Sequence, residues 1–236
     1  MTTDRRANSL NSQDFDRVAR MKKCSCTKTH SQLGFTLIEL MFTVSIVAIL
    51  AVITAPNLQS YIQNNRINTA SQDLLSTLQT ARSEAMRRQK RVVVCLSVLN
   101  NNTPECTTGT PTGWIMFADI DGNDWQYCPP GGNCTSANDT LIKQSSLNSQ
   151  NKILADNGKR VSYDATGFVT VNGSTTEKTR STGIVICDKR GNVDSNGGTG
   201  ATSVARGISI NGTGRASMTK DRSNIDQMIP TSASCN

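Results

Sequence analysis

The chain has 236 residues, enough for one domain of ordinary size plus an N-terminal extension. Only 36% are hydrophobic and 4% aromatic, and Gly, Ser, Thr and Asn dominate the second half, as in a loop-rich β domain on a cell surface. The formal +7 is uneven: residues 1–34 carry seven basic side chains (Arg5, Arg6, Arg17, Arg20, Lys22, Lys23, Lys28) against three acidic ones (Asp4, Asp14, Asp16), a net +4 that leaves only +3 for the rest. A generic basic-protein argument for nucleic acid therefore loses most of its force. There is no G-x-x-x-x-G-K-[S/T] phosphate loop and no G-x-S-x-G, so nothing points to an enzyme, a cofactor or a metal centre.

Residues 1–20 are polar, without periodic apolar positions, and read as a segment with no fixed structure. Met21, followed by Lys22 and Lys23, is a second plausible start that would leave 14 residues up to Gly34. From Phe35 to Ala55 the chain is apolar for 21 residues with one charge, Glu39. At ~1.5 Å per residue a helix of that length spans roughly a bilayer hydrocarbon core. A carboxylate inside it is costly and calls for a partner. Basic residues ahead of an apolar span keep that end in the cytoplasm, so the remainder is expected in the periplasm, with one pass through a bacterial inner membrane.

The hexapeptide Gly34-Phe35-Thr36-Leu37-Ile38-Glu39 resembles the processing signal of type IV prepilins and of type II secretion pseudopilins. The resemblance implies that a prepilin peptidase cuts between Gly34 and Phe35, removing a 1–34 leader, and methylates the new Phe35 amine. It implies that Glu39 pairs with the N-terminal amine of a neighbouring subunit during assembly. A plain membrane anchor needs the apolar run but not this hexapeptide with its glutamate in register. The only histidine, His30, falls in the leader, so the mature chain lacks a His-dependent triad or a His-ligated zinc site. Cys24 and Cys26 go with it.

Six cysteines remain: Cys95, Cys106, Cys128, Cys134, Cys187 and Cys235. An even number in an oxidising compartment indicates disulfides, and six allow 15 connectivities. Local pairing favours Cys95 with Cys106 and Cys128 with Cys134, which leaves Cys187 with Cys235 to tie down the tail. Free core thiols are the other reading. No C-x-x-C is present to suggest a redox enzyme.

Pro56 interrupts the helix just past the apolar core, where a proline removes one donor and kinks or loosens the preceding turn. The helix is expected to resume over 57–91, ending near Lys90, with Leu58, Ile62, Ala70, Leu74, Leu78, Ala81 and Ala85 on one face. Five of the ten residues from Arg82 to Arg91 are basic; they complement the helix dipole, or meet an acidic neighbour or a phosphate. The strand run Val92–Leu96 follows, and the segment Ala81-Arg82-Ser83-Glu84-Ala85 leading into it is similar to the GspH/FimT branch of pseudopilins and minor pilins.

Beyond it, 92–236 reads as a β-rich domain with strands and turns of an antiparallel sheet. Asn100–Gly113 reads as a loop and Gly113–Ala118 as a strand. Asp119-Ile120-Asp121-Gly122-Asn123-Asp124 reads as a hairpin turn, with a poor fit to a calcium loop as the alternative. Thr140–Lys143 is a strand, Val161–Val171 a hairpin around Ala165-Thr166-Gly167, Ser181–Cys187 a buried strand and Ala205–Ile210 another. Gly212–Met218 reads as a turn into the tail. Ile186–Gly191 and Ile208–Arg215 resemble the C-D-x-R-G and T-G-R segments of FimT/FimU-like minor pilins.

The resemblance implies an α+β, pilin-like fold: a long N-terminal helix, half transmembrane and half amphipathic, packed on an antiparallel β domain. It implies a minor pilin of a type IV pilus that joins other pilins and helps start assembly at the filament tip. A minor pseudopilin of a type II secretion system is the alternative. A third reading is DNA capture: some FimT-like proteins hold DNA through a C-terminal G-R-x-R. Here Gly214-Arg215-Ala216-Ser217 keeps the first arginine and replaces the second, with Lys220 and Arg222 nearby. Fewer phosphate contacts mean less counterion release, so weak or no duplex binding is expected.

Overall fold

The structure is a computed structural model. It describes residues 34–99, 105–106, 110–120, 127, 139–155, 160–170, 182–194, 197–198, 200–229 and 235, with 55–57, 105, 170 and 182 described by backbone alone. The expectations for 1–33, Asp121–Asp124 and the Cys128–Cys134 pair lie outside these residues. The chain forms two compact units, and the division falls between Ile49 and Leu50.

Helix α1 is Leu37–Arg88, so both units hold part of it. It is continuous through position 56, where a break was expected. A proline forfeits a single N–H bond, and the helical bonds on either side suffice to carry the backbone on. The helix ends two residues earlier than expected: Gln89 adopts φ 53, the left-handed turn that stops a helix, and the next strand starts at once.

In the unit from Leu50 onward, the buried stripe of α1 is Ile67, Ser71, Leu74, Thr77, Leu78, Ala81 and Ala85. This corrects the expected face at its start: Leu58 and Ile62 are exposed, and burial begins at Ile67. Ser71 and Thr77 enter the stripe because their hydroxyls donate back to the Ile67 and Asp73 carbonyls, both at 2.7 Å. A satisfied hydroxyl can be buried without the cost of an orphaned donor.

The strands are β1 (Arg91–Val98), β2 (Glu105–Cys106), β3 (Gly113–Asp119), β4 (Thr140–Ser146), β5 (Asn151–Ala155), β6 (Arg160–Tyr163), β7 (Val169–Thr170), β8 (Thr182–Asp188), β9 (Thr202–Ile210) and β10 (Ala216–Asp221), followed by helix α2 (Arg222–Met228). They form two antiparallel sheets where one was expected. The first runs β4-β3-β1-β6-β7, with β2 also on β1; the second runs β10-β9-β8-β5.

Strand alternation distributes the core. Val92, Val94 and Leu96 of β1, Trp114 and Met116 of β3, Ile184 and Ile186 of β8 and Ile208 and Ile210 of β9 all join the α1 stripe in one cluster. Strand residues of opposite parity form two further clusters, Val93, Cys95, Ile115 and Phe117 with Tyr127 against one sheet, and Val185, Cys187 and Ala205 with Ile225 of α2 and Cys235 against the other. Each fully buried Leu, Ile or Val in the shared core contributes roughly 1.5–3 kcal/mol. Thr77 ties helix to sheet: its Oγ1 accepts from Trp114 Nε1 at 3.3 Å and from Lys143 Nζ at 2.9 Å, and that lysine also pairs with Asp73 at 2.6 Å.

Four elements were not anticipated, the shortest being β2, which falls inside the expected loop Asn100–Gly113. β5 carries only Ile153 and Ala155 on its buried face, too little apolar pattern to stand out. β10 replaces the last three residues of the turn read over 212–218, since Ala216 and Met218 lie on the core side of a strand. α2 buries a single residue, Ile225, and is started by its N-cap, Asp221, whose carboxylate accepts from Asn224 N–H at 3.1 Å.

Candidate functional site

The N-terminal segment has no regular structure at Gly34–Thr36 and turns helical at Leu37. Thr36 makes that transition. Its Oγ1 accepts the Glu39 N–H at 3.2 Å and its carbonyl accepts the Leu40 N–H at 3.2 Å. This is N-cap geometry, and Thr36-x-x-Glu39 is the residue order of a capping box, a signal readable in the sequence. Glu39 sits in the first turn, where the helix dipole favours a carboxylate. From Leu37 to Thr54 the mean hydropathy is 2.5 and no residue is buried, so α1 is long and apolar enough here to cross a membrane. The hydroxyls of Thr43, Ser45 and Thr54 bond to carbonyls three or four residues back, which leaves the apolar surface without orphaned donors. Phe35 is 80% exposed. Position 56 is helical; nothing is described of the Pro56 side chain.

The second candidate is the β9–β10 turn. Asn211 N–H donates to the Arg215 carbonyl at 3.1 Å, Arg215 N–H to Asn211 Oδ1 at 3.0 Å, and Gly214 N–H to the Asn211 carbonyl at 2.9 Å. Ala216 and Met218 face the core, so Arg215 and Ser217 share the other side of β10. Both are exposed, and Ser217 bonds Ser209 across the strands at 2.9 Å. Lys220 lies at the irregularity between Thr219 and Asp221. Arg222 is committed elsewhere: Nη1 donates to the Gly198 carbonyl at 3.2 Å, and Nε lies 3.9 Å from Asp226. The structure thus presents Arg215 alone and does not gather the three cations.

The basic run at the end of α1 is also largely partnered within the chain. Arg87 and Arg88 converge on Glu84, with contacts of 2.6 and 2.7 Å, and their hydrogen bonds hold its carboxyl down at about 2. Arg91 lies 3.6 Å from buried Asp119. Arg82 Nε donates to the Gly167 carbonyl at 3.1 Å. There the two sheets meet: Val169 N–H donates to the Gly212 carbonyl at 3.4 Å, and a Cβ on Gly214 would stand 2.2 Å from the Gly167 oxygen. The three segments singled out in the sequence, around Arg82, Gly167 and Gly214, close on one another.

Comparison with known proteins fixes the family. The model for "Type II transport protein GspH" matches residues 70–214, and that for the prokaryotic N-terminal methylation motif matches 29–55. The chain belongs to the GspH family. Two Pseudomonas aeruginosa proteins described as "Fimbrial protein" are each 41% identical to this GspH-family chain over 63 residues, 27% of it and 40% of their own length. Two crystal forms of the P. aeruginosa type IV minor pilin FimU are 15% and 17% identical, covering 75% and 72% of this chain and 99% of FimU. Their TM-score is 0.40, too loose a likeness to carry an argument.

In this GspH-family chain, Cys95 is bonded to Cys106 and Cys187 to Cys235. Each disulfide sits on the sheet face turned away from α1. The second fixes Cys235 beside α2, under the Val185 and Ala205 face. Among the described residues no group of three or more His, Cys, Asp and Glu side chains is placed to hold a metal.

Sequence reasoning missed Arg206. It lies in β9, 5% exposed, and donates to Asn68 Oδ1 at 2.9 Å and to the carbonyls of Ser203, Val204 and Ala205 at 2.8–2.9 Å. Burial, and then the charge of Arg190, push its pKa down. An arginine inside the strand run Ala205–Ile210 was the only available signal.

Proposed function

We propose that this chain is a minor pilin of a type IV pilus: a structural, non-catalytic subunit that helps initiate assembly at the filament tip. The observation that carries the reading is the fully exposed apolar stretch Leu37–Thr54 behind a methylation motif, a surface that must be covered by lipid or by other helices. The likeness to fimbrial proteins favours a pilus. In this reading, prepilin peptidase removes residues 1–34, cutting between Gly34 and Phe35, and methylates Phe35. Residues 35–56 anchor the chain in the inner membrane, 57–91 extend the helix, and 92–236 form the periplasmic domain. Glu39 receives the N-terminal amine of a neighbour, and the proline at 56 gives the helix a place to loosen in the filament. Thr36 supports this: as N-cap it holds the start of α1 just behind the new terminus, with Glu39 in the first turn.

The description of the matched family favours a second reading, a minor pseudopilin of a type II secretion system. Mass spectrometry on sheared surface filaments, beside the membrane fraction, separates the two. Peptides from 57–236 in the filaments, with N-methylated Phe35, are the expected result. Mature protein confined to the membrane, with pili intact in a deletion strain, would move the assignment to the secretion pseudopilin.

A further inference from the structure

A small recess of about 20 Å³ is lined by Gln63 and Arg66 of α1, Gln150 and Asn151 at the start of β5, and Asp188 and Lys189 at the end of β8. Asn151 is only 8% exposed, yet its Nδ2 has no acceptor. Buried amide donors in native proteins nearly always have a partner, so this one points to something that enters the recess. The Asp188 carboxylate is engaged with Arg190, which donates from its backbone N–H at 2.9 Å, from Nε at 2.9 Å and from Nη2 at 2.7 Å.

Charge gives the occupant its sign. Arg66 and Lys189 are exposed and form no ion pair among the described residues. Arg206, on the helix-facing side of β9, is buried with amide and carbonyl acceptors and no carboxylate, and it feels the charge of Arg190. Asp188 is already paired with Arg190, so the two exposed cations at the recess, Arg66 and Lys189, are left without a carboxylate among the described residues and suit an anion.

Size narrows the chemistry. A recess of about 20 Å³ has room for about one water-sized atom, so it takes one oxygen of a carboxylate and not a whole phosphate. The adjoining surface indicates where that carboxylate comes from. Leu58, Ile62 and Arg66 recur every four residues and so lie on one ridge of α1. Leu58 is 57% exposed and Ile62 40%, with Tyr61 beside them at 69%. A helix laid along that apolar ridge delivers its next side chain to Arg66.

We propose that this recess is an intersubunit docking point for one Asp or Glu carboxylate of a neighbouring subunit packed along Leu58 and Ile62. Asn151 Nδ2 donates to one carboxylate oxygen, while Arg66 and Lys189 neutralise the charge. The inference rests on the chain being an assembled subunit.

The test is zero-length carbodiimide coupling, which joins a lysine amine to a carboxylate in direct contact. Cells expressing the full chain are treated, filament and membrane fractions are separated, and cross-linked peptides are mapped. The expected result is a Lys189 amide to an Asp or Glu of another subunit, several-fold weaker in Arg66→Gln and absent in Lys189→Gln. Exposed Lys220 reports the background. Linkage at Lys189 no stronger than at Lys220, or confined to Asp188 of the same chain, overturns the docking point even where the protein is found in filaments. Absence of the chain from every assembled fraction removes the subunit reading itself, and the docking point with it.

Discussion

Replacing Gly214 by alanine tests the closure of the two sheets over α1. Gly214 has φ +80, and its added Cβ would lie 2.2 Å from the Gly167 carbonyl oxygen, a backbone atom, and 3.3 Å from Arg82 Nε. The left-handed backbone alone costs an L-residue about 1–2 kcal/mol. Relieving the contact requires the Gly167 turn to move by roughly 1 Å, which breaks the Arg82 to Gly167 bond; a hydrogen bond from a charged donor contributes about 1.5–3 kcal/mol. The expected loss is therefore about 3–5 kcal/mol. Gly197 is the internal control: its φ is +79, but its Cβ would meet nothing within 4 Å, so Gly197→Ala pays only the backbone cost. Urea unfolding of the full chain in detergent micelles, followed by fluorescence of buried Trp114, measures both. Equal losses for the two variants would refute the claim that close approach of the turns matters.

Four further outcomes are expected. Cys235→Ala opens a loop closed across 48 residues and is expected to cost about 4 kcal/mol on chain entropy, with Cys187→Ala no worse alone or combined; additive losses in urea unfolding would contradict this. Glu84 has its folded pKa lowered from 4.5 to about 2, so its stabilisation is full above 4.5 and is lost as pH falls through that window; the unfolding midpoint of Glu84→Gln should vary less between pH 4.5 and 2 than that of the parent. Gln89→Gly relieves a left-handed residue at the end of α1 and should raise the unfolding free energy by about 0.5–1 kcal/mol; a lower one contradicts the C-cap reading. The full chain should bind duplex DNA weakly or not at all, since Arg215 stands without a second arginine; salt-sensitive binding in a filter or gel assay, lost in Arg215→Ala, would reverse that.

Legibility from sequence followed local pattern. The apolar run with Glu39 inside it, the amphipathic repeat from Leu74 to Ala85 and the strands led by Val92 and Ile184 all carry their signal within a few residues. Arg206 and α2 do not. A buried arginine is acceptable only because Asn68 and three carbonyls surround it, and those partners are brought there by the fold. Leu58 and Ile62 look the same in sequence as Leu74 and Leu78, but burial begins only where sheet residues are present to cover the helix.

The sequence by itself determined that this chain has one long apolar helix opening at the hexapeptide Gly34–Glu39 and a cysteine-bearing β domain after it. Those properties are written in composition and short-range order. The tertiary structure alone decided that the strands divide into two sheets sharing one helix. It also decided that Arg82, Gly167 and Gly214 meet, and that Asn151 is left with an unpaired donor beside Arg66 and Lys189. Each of these depends on which distant residues become neighbours, and a contact across 138 positions, as between Asn68 of α1 and Arg206 of β9, is not encoded in any local period.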